Sequence, residues 1–162
     1  MTASSTDATT PVAVSPKAVA EGPLSRTQEL IWTSQRLSPR TPLANMGKLH
    51  RIRGRLDPDR LADAFDLVVR ASDALRTVVV DRPGHAPVAR VLATPPSRTD
   101  VVELAIGELG SWERNRIADP IDIRSSGYDS VVLFHGPDDW SWWLDLHHVV
   151  TDAFSSAKNS QS

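Results

Sequence analysis

The sequence predicts an α/β domain of layered α+β type, a mixed sheet with flanking helices. Three observations carry this expectation. Segments of helical period alternate with segments of strand period along most of the chain. Two pairs of strand-like segments are joined by short turn sequences, Arg82-Pro83-Gly84 and Gly136-Pro137-Asp138-Asp139, so hairpins accompany the crossovers. The length of 162 residues suits one domain better than two. No internal repeat is evident.

Residues 1–22 lack periodicity and large apolar side chains, and are expected to be a disordered tail, because they bury too little surface to offset chain entropy. The fold is expected to span 23–155, with a short polar tail at 156–162. Ser25-Arg26-Thr27-Gln28 has capping-box form. Glu29 to Arg36 therefore reads as a short helix with Leu30, Ile31 and Ser34 on one side, continued by Leu37 and ended by Pro39 and Pro42. Leu49 to Leu56 alternates, with Ile52 and Leu56 facing one way and Arg51, Arg53 and Arg55 the other, as in a half-buried strand with a solvated basic face.

Asp57 before Pro58 is an N-cap followed by proline at the first helical position. Leu61, Ala64, Phe65 and Val68 then recur at helical spacing, which predicts a helix over 58–71. Leu75 to Asp81 and Val88 to Leu92 read as paired strands. Asp100 with Glu103 repeats a capping pattern. It predicts a helical stripe through Val102, Ala105, Ile106, Leu109 and Trp112, weakened by Gly107 and Gly110 and closed by Pro120. Val131 to His135 and Trp140 to His148 read as the last two strands. On the second of these, Trp140, Trp142, Leu144, Leu146 and His148 share one face, and Trp143, Asp145 and His147 the other.

Composition narrows the function. Lys and Arg total 18 against 20 for Asp and Glu, a net charge of -2, so no positive field favours nucleic acid as a partner. With no cysteine, disulfides, thiolate metal sites and a Cys nucleophile are excluded. The opening residues lack a signal-peptide pattern, and no segment reaches the roughly 18 apolar residues of a membrane span. A cytoplasmic protein without membrane contact is expected.

The strongest chemical feature is the adjacent pair His147-His148, followed by Asp152, at the end of a tryptophan-rich strand. Neighbours on a strand point oppositely, so only one of the two reaches a given cleft, and the other serves the structure or a second site. A neutral imidazole suits proton transfer near neutral pH. A purely structural histidine pair is an equally open reading. A site of two histidines and a carboxylate for a metal is awkward because the two side chains diverge. The tryptophans read as core packing, with a stacking platform for bases or sugars as the alternative.

His147-His148-Val149-Val150-Thr151-Asp152-Ala153 resembles the HHxxxDG motif of condensation domains from nonribosomal peptide synthetases. Two further segments agree in order. Leu24 to Trp32 looks like that family's opening motif, and Arg70 to Thr77 looks like its second, Arg-His-Glu-x-Leu-Arg-Thr. Arg53 to Asp57 resembles the strand-to-helix entry between them. The resemblance covers about Leu24 to Ser155. It implies a chloramphenicol-acetyltransferase-like lobe, one of the two that form a complete domain, with the second absent from this sequence.

The resemblance further implies that His148 is catalytic, acting on an acceptor amine as it attacks a donor thioester. It makes His147 structural, and Asp152 a brace for the loop through a salt bridge for which Arg76 is the candidate partner. Substrates would arrive on phosphopantetheine arms of peptidyl or acyl carrier proteins, with no tightly bound cofactor and no metal. Ala153 replaces the usual glycine at the substrate approach, and Ala71 and Ser72 replace the usual His-Glu pair. The isolated chain is expected to be inactive in amide-bond formation. A non-catalytic docking module or a degenerate remnant is the alternative.

Overall fold

The computed structural model describes residues 17–151, and the expected tail at 156–162 lies outside them, as do Asp152 and Ala153. Its elements run β1 (Ala18–Pro23), α1 (Arg26–Leu37), β2 (Asn45–Arg53), α2 (Pro58–Ala71), β3 (Thr77–Val80), β4 (Val88–Leu92) and β5 (Asp100–Glu103). A 3-10 turn at Ile106–Glu108 leads into α3 (Leu109–Ala118), followed by β6 (Tyr128–Gly136) and β7 (Asp139–His147). The strands form two sheets, ordered β1-β4-β3 and β2-β7-β6-β5. All pairings are antiparallel except β5 with β6, so the larger sheet is mixed, as expected.

Local chemistry places the helices. Ser25 Oγ accepts from the Gln28 N–H at 3.1 Å while Gln28 Oε1 accepts from the Ser25 N–H at 2.9 Å, a complete capping box. Asp57 accepts from the Arg60 N–H at 3.1 Å ahead of Pro58, and α2 has the expected limits. The buried faces differ from the expected stripes. In α1, Gln28, Trp32 and Gln35 are buried, whereas Leu30 and Leu37 are exposed. In α2, Phe65 and Val69 are buried and Val68 is exposed. Neighbouring elements select these faces: Trp32 packs with Val79 and Ile123, and Phe65 packs edge-on to Tyr128 and Trp142.

Four strand expectations need correction. Residues 18–22, read as the end of a tail, form β1, because pairing with β4 supplies the hydrogen bonds that local sequence lacks; Arg90 also reaches Glu21 at 2.7 Å. β2 starts four residues before Leu49, and Arg51, Arg53 and Ile52 do alternate in exposure. Asp100 to Glu103 is a strand and not a helix start. Val101 and Val102 pair in parallel with Val132 and Leu133, and the helix waits until Leu109. β7 ends at His147, so His148 does not share the face of Trp142, Leu144 and Leu146; residues 148–151 are helical.

The larger sheet carries two layers. On one face Leu109, Trp112 and Ile117 of α3 and its lead-in pack with Val131, Leu133, Trp143 and Leu49. On the other, Phe65 and Val69 of α2 pack with Tyr128, Trp142, Leu144 and Leu146. A third cluster joins Trp32 of α1 and Val79 of β3 to Ile123, Val149 and Val150, directly after the histidine pair.

Candidate functional site

β7 lies between β2 and β6, so its C-terminal end, which carries His147 and turns at His148, is fixed from both sides. The His147 N–H donates to the Gly127 carbonyl at 2.9 Å, and the His148 N–H to the Ala44 carbonyl at 2.8 Å. Gly127 is required there: a Cβ would stand 2.1 Å from Val150 Cγ1.

The two imidazoles have opposite environments. His147 is 0% exposed, and its Nδ1 accepts from the Val149 N–H at 3.2 Å. That contact caps the helical residues 148–151 as Ser or Asp caps most helices. It also puts the ring proton on Nε2, which is buried with no hydrogen-bond partner among the described residues. Burial, with the neighbouring His148 adding to it, pushes the His147 pKa down to about 4, so the ring is neutral near pH 7 and able to accept. His148 is exposed. The buried Val149 and Val150 anchor the chain immediately after it, and Gln28 Nε2 donates to the Val149 carbonyl at 3.1 Å.

Behind the pair lies a carboxylate that sequence reasoning placed on a strand face without a role. Asp145 is 1% exposed and accepts from the Met46 N–H at 2.8 Å and from Asn45 Nδ2 at 3.0 Å. Burial raises its pKa to about 6, and the charge of Asp129 directly across on β6 adds to the rise; the two donors oppose it. Asn45 also donates to the Asp119 carbonyl at 2.8 Å, fastening β2 to the loop beyond α3. Asp129 is held by Arg116 at 2.6 and 2.7 Å and by Trp143 Nε1 at 3.0 Å. A charged residue inside an otherwise apolar run was the only sequence signal for this network. Gln28 was legible only as a cap.

Arg76 precedes β3 and is mostly buried. Its guanidinium donates to the Leu92 carbonyl and to Asp73 at 2.5 Å, and its Nε is buried without a partner among the described residues. It makes no hydrogen bond or ion pair with either histidine. Its expected partner Asp152, and Ala153, lie outside the described residues. A concavity of about 300 Å³ is lined by Trp32, Gln35, Arg36 and Arg124, and neither histidine borders it. His148 thus presents an exposed imidazole from a backbone position held on both sides.

A family model for the condensation domain matches residues 19–157. Over 136 residues the chain is 34% identical to CymA, a probable nonribosomal peptide synthetase of Salinispora arenicola; this covers 82% of the chain and 2% of CymA. It is 28% identical over 134 residues to the nonribosomal peptide synthetase asqK of Emericella nidulans, covering 81% and 5%. The starter condensation domain of rhizomide synthetase RzmA superposes with a TM-score of 0.71 at 24% identity, over 80% of this chain and 34% of that one. The first condensation domain of the calcium-dependent antibiotic synthetase gives 0.68 at 19%, over 82% and 35%. These two likenesses show the fold. The chain spans only a few per cent of these curated relatives and about a third of the solved chains.

Proposed function

The chain belongs to the condensation-domain family of nonribosomal peptide synthetases, and on that premise we propose that it is the N-terminal lobe of such a domain, with His148 as its catalytic group. The observation that carries this reading is the division of labour in the pair: His147 is sealed in the core as a neutral cap, while His148 is exposed on a fixed backbone.

In the proposed reaction an acceptor amine attacks the carbonyl carbon of a donor thioester. The C–N bond forms, the oxyanion intermediate collapses, the thiolate leaves and the amine loses a proton. His148 orients the amine and takes that proton. Since the thioester is already activated, orientation supplies much of the gain. Both substrates ride on phosphopantetheine arms of carrier proteins. His147 and Asp152 support the loop, Arg76 is the proposed partner of Asp152, and Ala153 lies at the substrate approach. The second lobe supplies the opposite wall.

The test is amide formation between carrier-bound thioesters, read by intact-protein mass spectrometry, with the 162-residue chain alone and with a second lobe from a relative. The chain alone should give no product. With the second lobe, product should appear and fall about 100-fold or more in His148→Ala. Product that persists in His148→Ala overturns the role of His148. The exposed Leu30, Leu37, Leu67 and Val68 support a docking module as the second reading. Carrier binding without product when the second lobe is supplied would favour it.

A further inference from the structure

We propose that Gln28 is a positioning residue for His148, acting through the Val149 carbonyl. The proposal rests on the reading of His148 as the working histidine. Gln28 is buried, and its amide has two separate engagements. Oε1 accepts from the Ser25 N–H at 2.9 Å, which completes the cap of α1. Nε2 donates to the Val149 carbonyl at 3.1 Å, 121 residues further along the chain. A capping box needs only the first engagement, and Glu serves there as well as Gln. The amide donor is therefore the part that capping does not explain, and it is directed at the residue next to His148.

Val149 is consequently held at both ends of its backbone: its N–H by His147 Nδ1 and its carbonyl by Gln28. The His148 N–H is held by Ala44. The backbone that carries the His148 side chain is thus held by the adjacent His147 ring and by two segments remote in sequence, and of those two Gln28 is the one that contributes through a side chain. A buried amide left without its acceptor is costly, so the seating of α1 and the geometry of the turn are coupled.

The chemistry of the amide supplies the test. Gln28→Glu in the full 162-residue chain keeps the cap and loses the donor. Backbone hydrogen exchange at residues 148–150 should speed up about tenfold, the loss of one hydrogen bond's worth of protection. The His148 ring resonances should shift, and α1 should stay protected. If a buried carboxylate unfolds the chain, Gln28→Met removes the donor and the Oε1 half of the cap together, and exchange at residues 148–150 should still speed up about tenfold, now with the first turn of α1 loosened as well. Ser25→Ala should do the reverse, loosening the first turn of α1 and leaving residues 148–150 unchanged. The proposal is overturned if the Gln28 variants leave exchange and ring resonances at the parent values, or if Ser25→Ala loosens residues 148–150 as much. Failure of the His148 reading shows separately, as product persisting in His148→Ala.

Discussion

The two faces of β7 reverse the usual order of burial. Ser141, Trp143, Asp145 and His147, three of them polar, are sealed on the α3 face. Trp140 at the start of the α2 face is buried, but Trp142, Leu144 and Leu146, all large and apolar, are only half-buried there. Hydrogen bonds offset most of the burial on the polar face: Ser141 with His135 at 2.9 Å, Asp145 with Asn45 and Met46, and His147 through Nδ1 with Val149, while its Nε2 has no partner among the described residues. Burial along this strand follows the layer that covers it and not residue hydropathy. The sealed face holds the turn rigid, and His148 emerges just beyond it.

The largest test of that contrast is a pair of truncations. Trp143→Ala should cost about 3–5 kcal/mol of stability, since a fully buried indole and its contact to Asp129 are both lost. Trp142→Ala should cost about half as much in the same urea titration, because part of its surface already meets water. Equal losses would break the comparison. Close in size is Gly47→Ala: a Cβ there would lie 2.3 Å from the Trp143 ring and 2.4 Å from Ile117, so overpacking should cost about 1–3 kcal/mol.

A pH series sharpens the same face. The Asp145 pKa rises from 3.8 to about 6 on folding, so its contribution is present below about pH 4 and is lost as pH rises through 6. The His147 pKa falls from 6.5 to about 4, so its contribution is present above about pH 6.5 and is lost as pH falls through 4. Between these limits the two slopes oppose each other. Asp145→Asn removes one of them. Stability of that variant should then fall on the order of 2 kcal/mol from pH 6.5 to 4, more steeply than in the parent chain. Matching profiles would show that the pair is not coupled to folding as described. The smallest effect belongs to the solvated arginines of β2: Arg53→Ala should stay within about 0.5 kcal/mol of the parent.

Legibility in the sequence tracked how local each cause was. Helix α2 could be read to the residue because its cap, its proline and its apolar spacing all lie within the helix or next to it. β4 was legible because a glycine turn and β-branched residues mark it, and Gly84 does adopt φ +77°. β5 was misread because the spacing of Asp100 and Glu103 imitates a cap, while the parallel partner that decides the matter comes some thirty residues later. β1 was missed because its sequence has no strand pattern apart from β4. At the site, the adjacent histidines were visible, but not which of them would be buried.

The sequence by itself determined the mixed α/β class, the caps of α1 and α2 and the resemblance to the condensation family, because caps, periodicity and short sequence patterns are encoded in neighbouring residues. Tertiary structure alone decided which histidine is sealed, which face of α1 is buried and where β7 ends. Those outcomes depend on Gln28, Ala44 and Gly127 meeting one turn. Contacts between segments so far apart in the chain leave no periodic trace in any one of them.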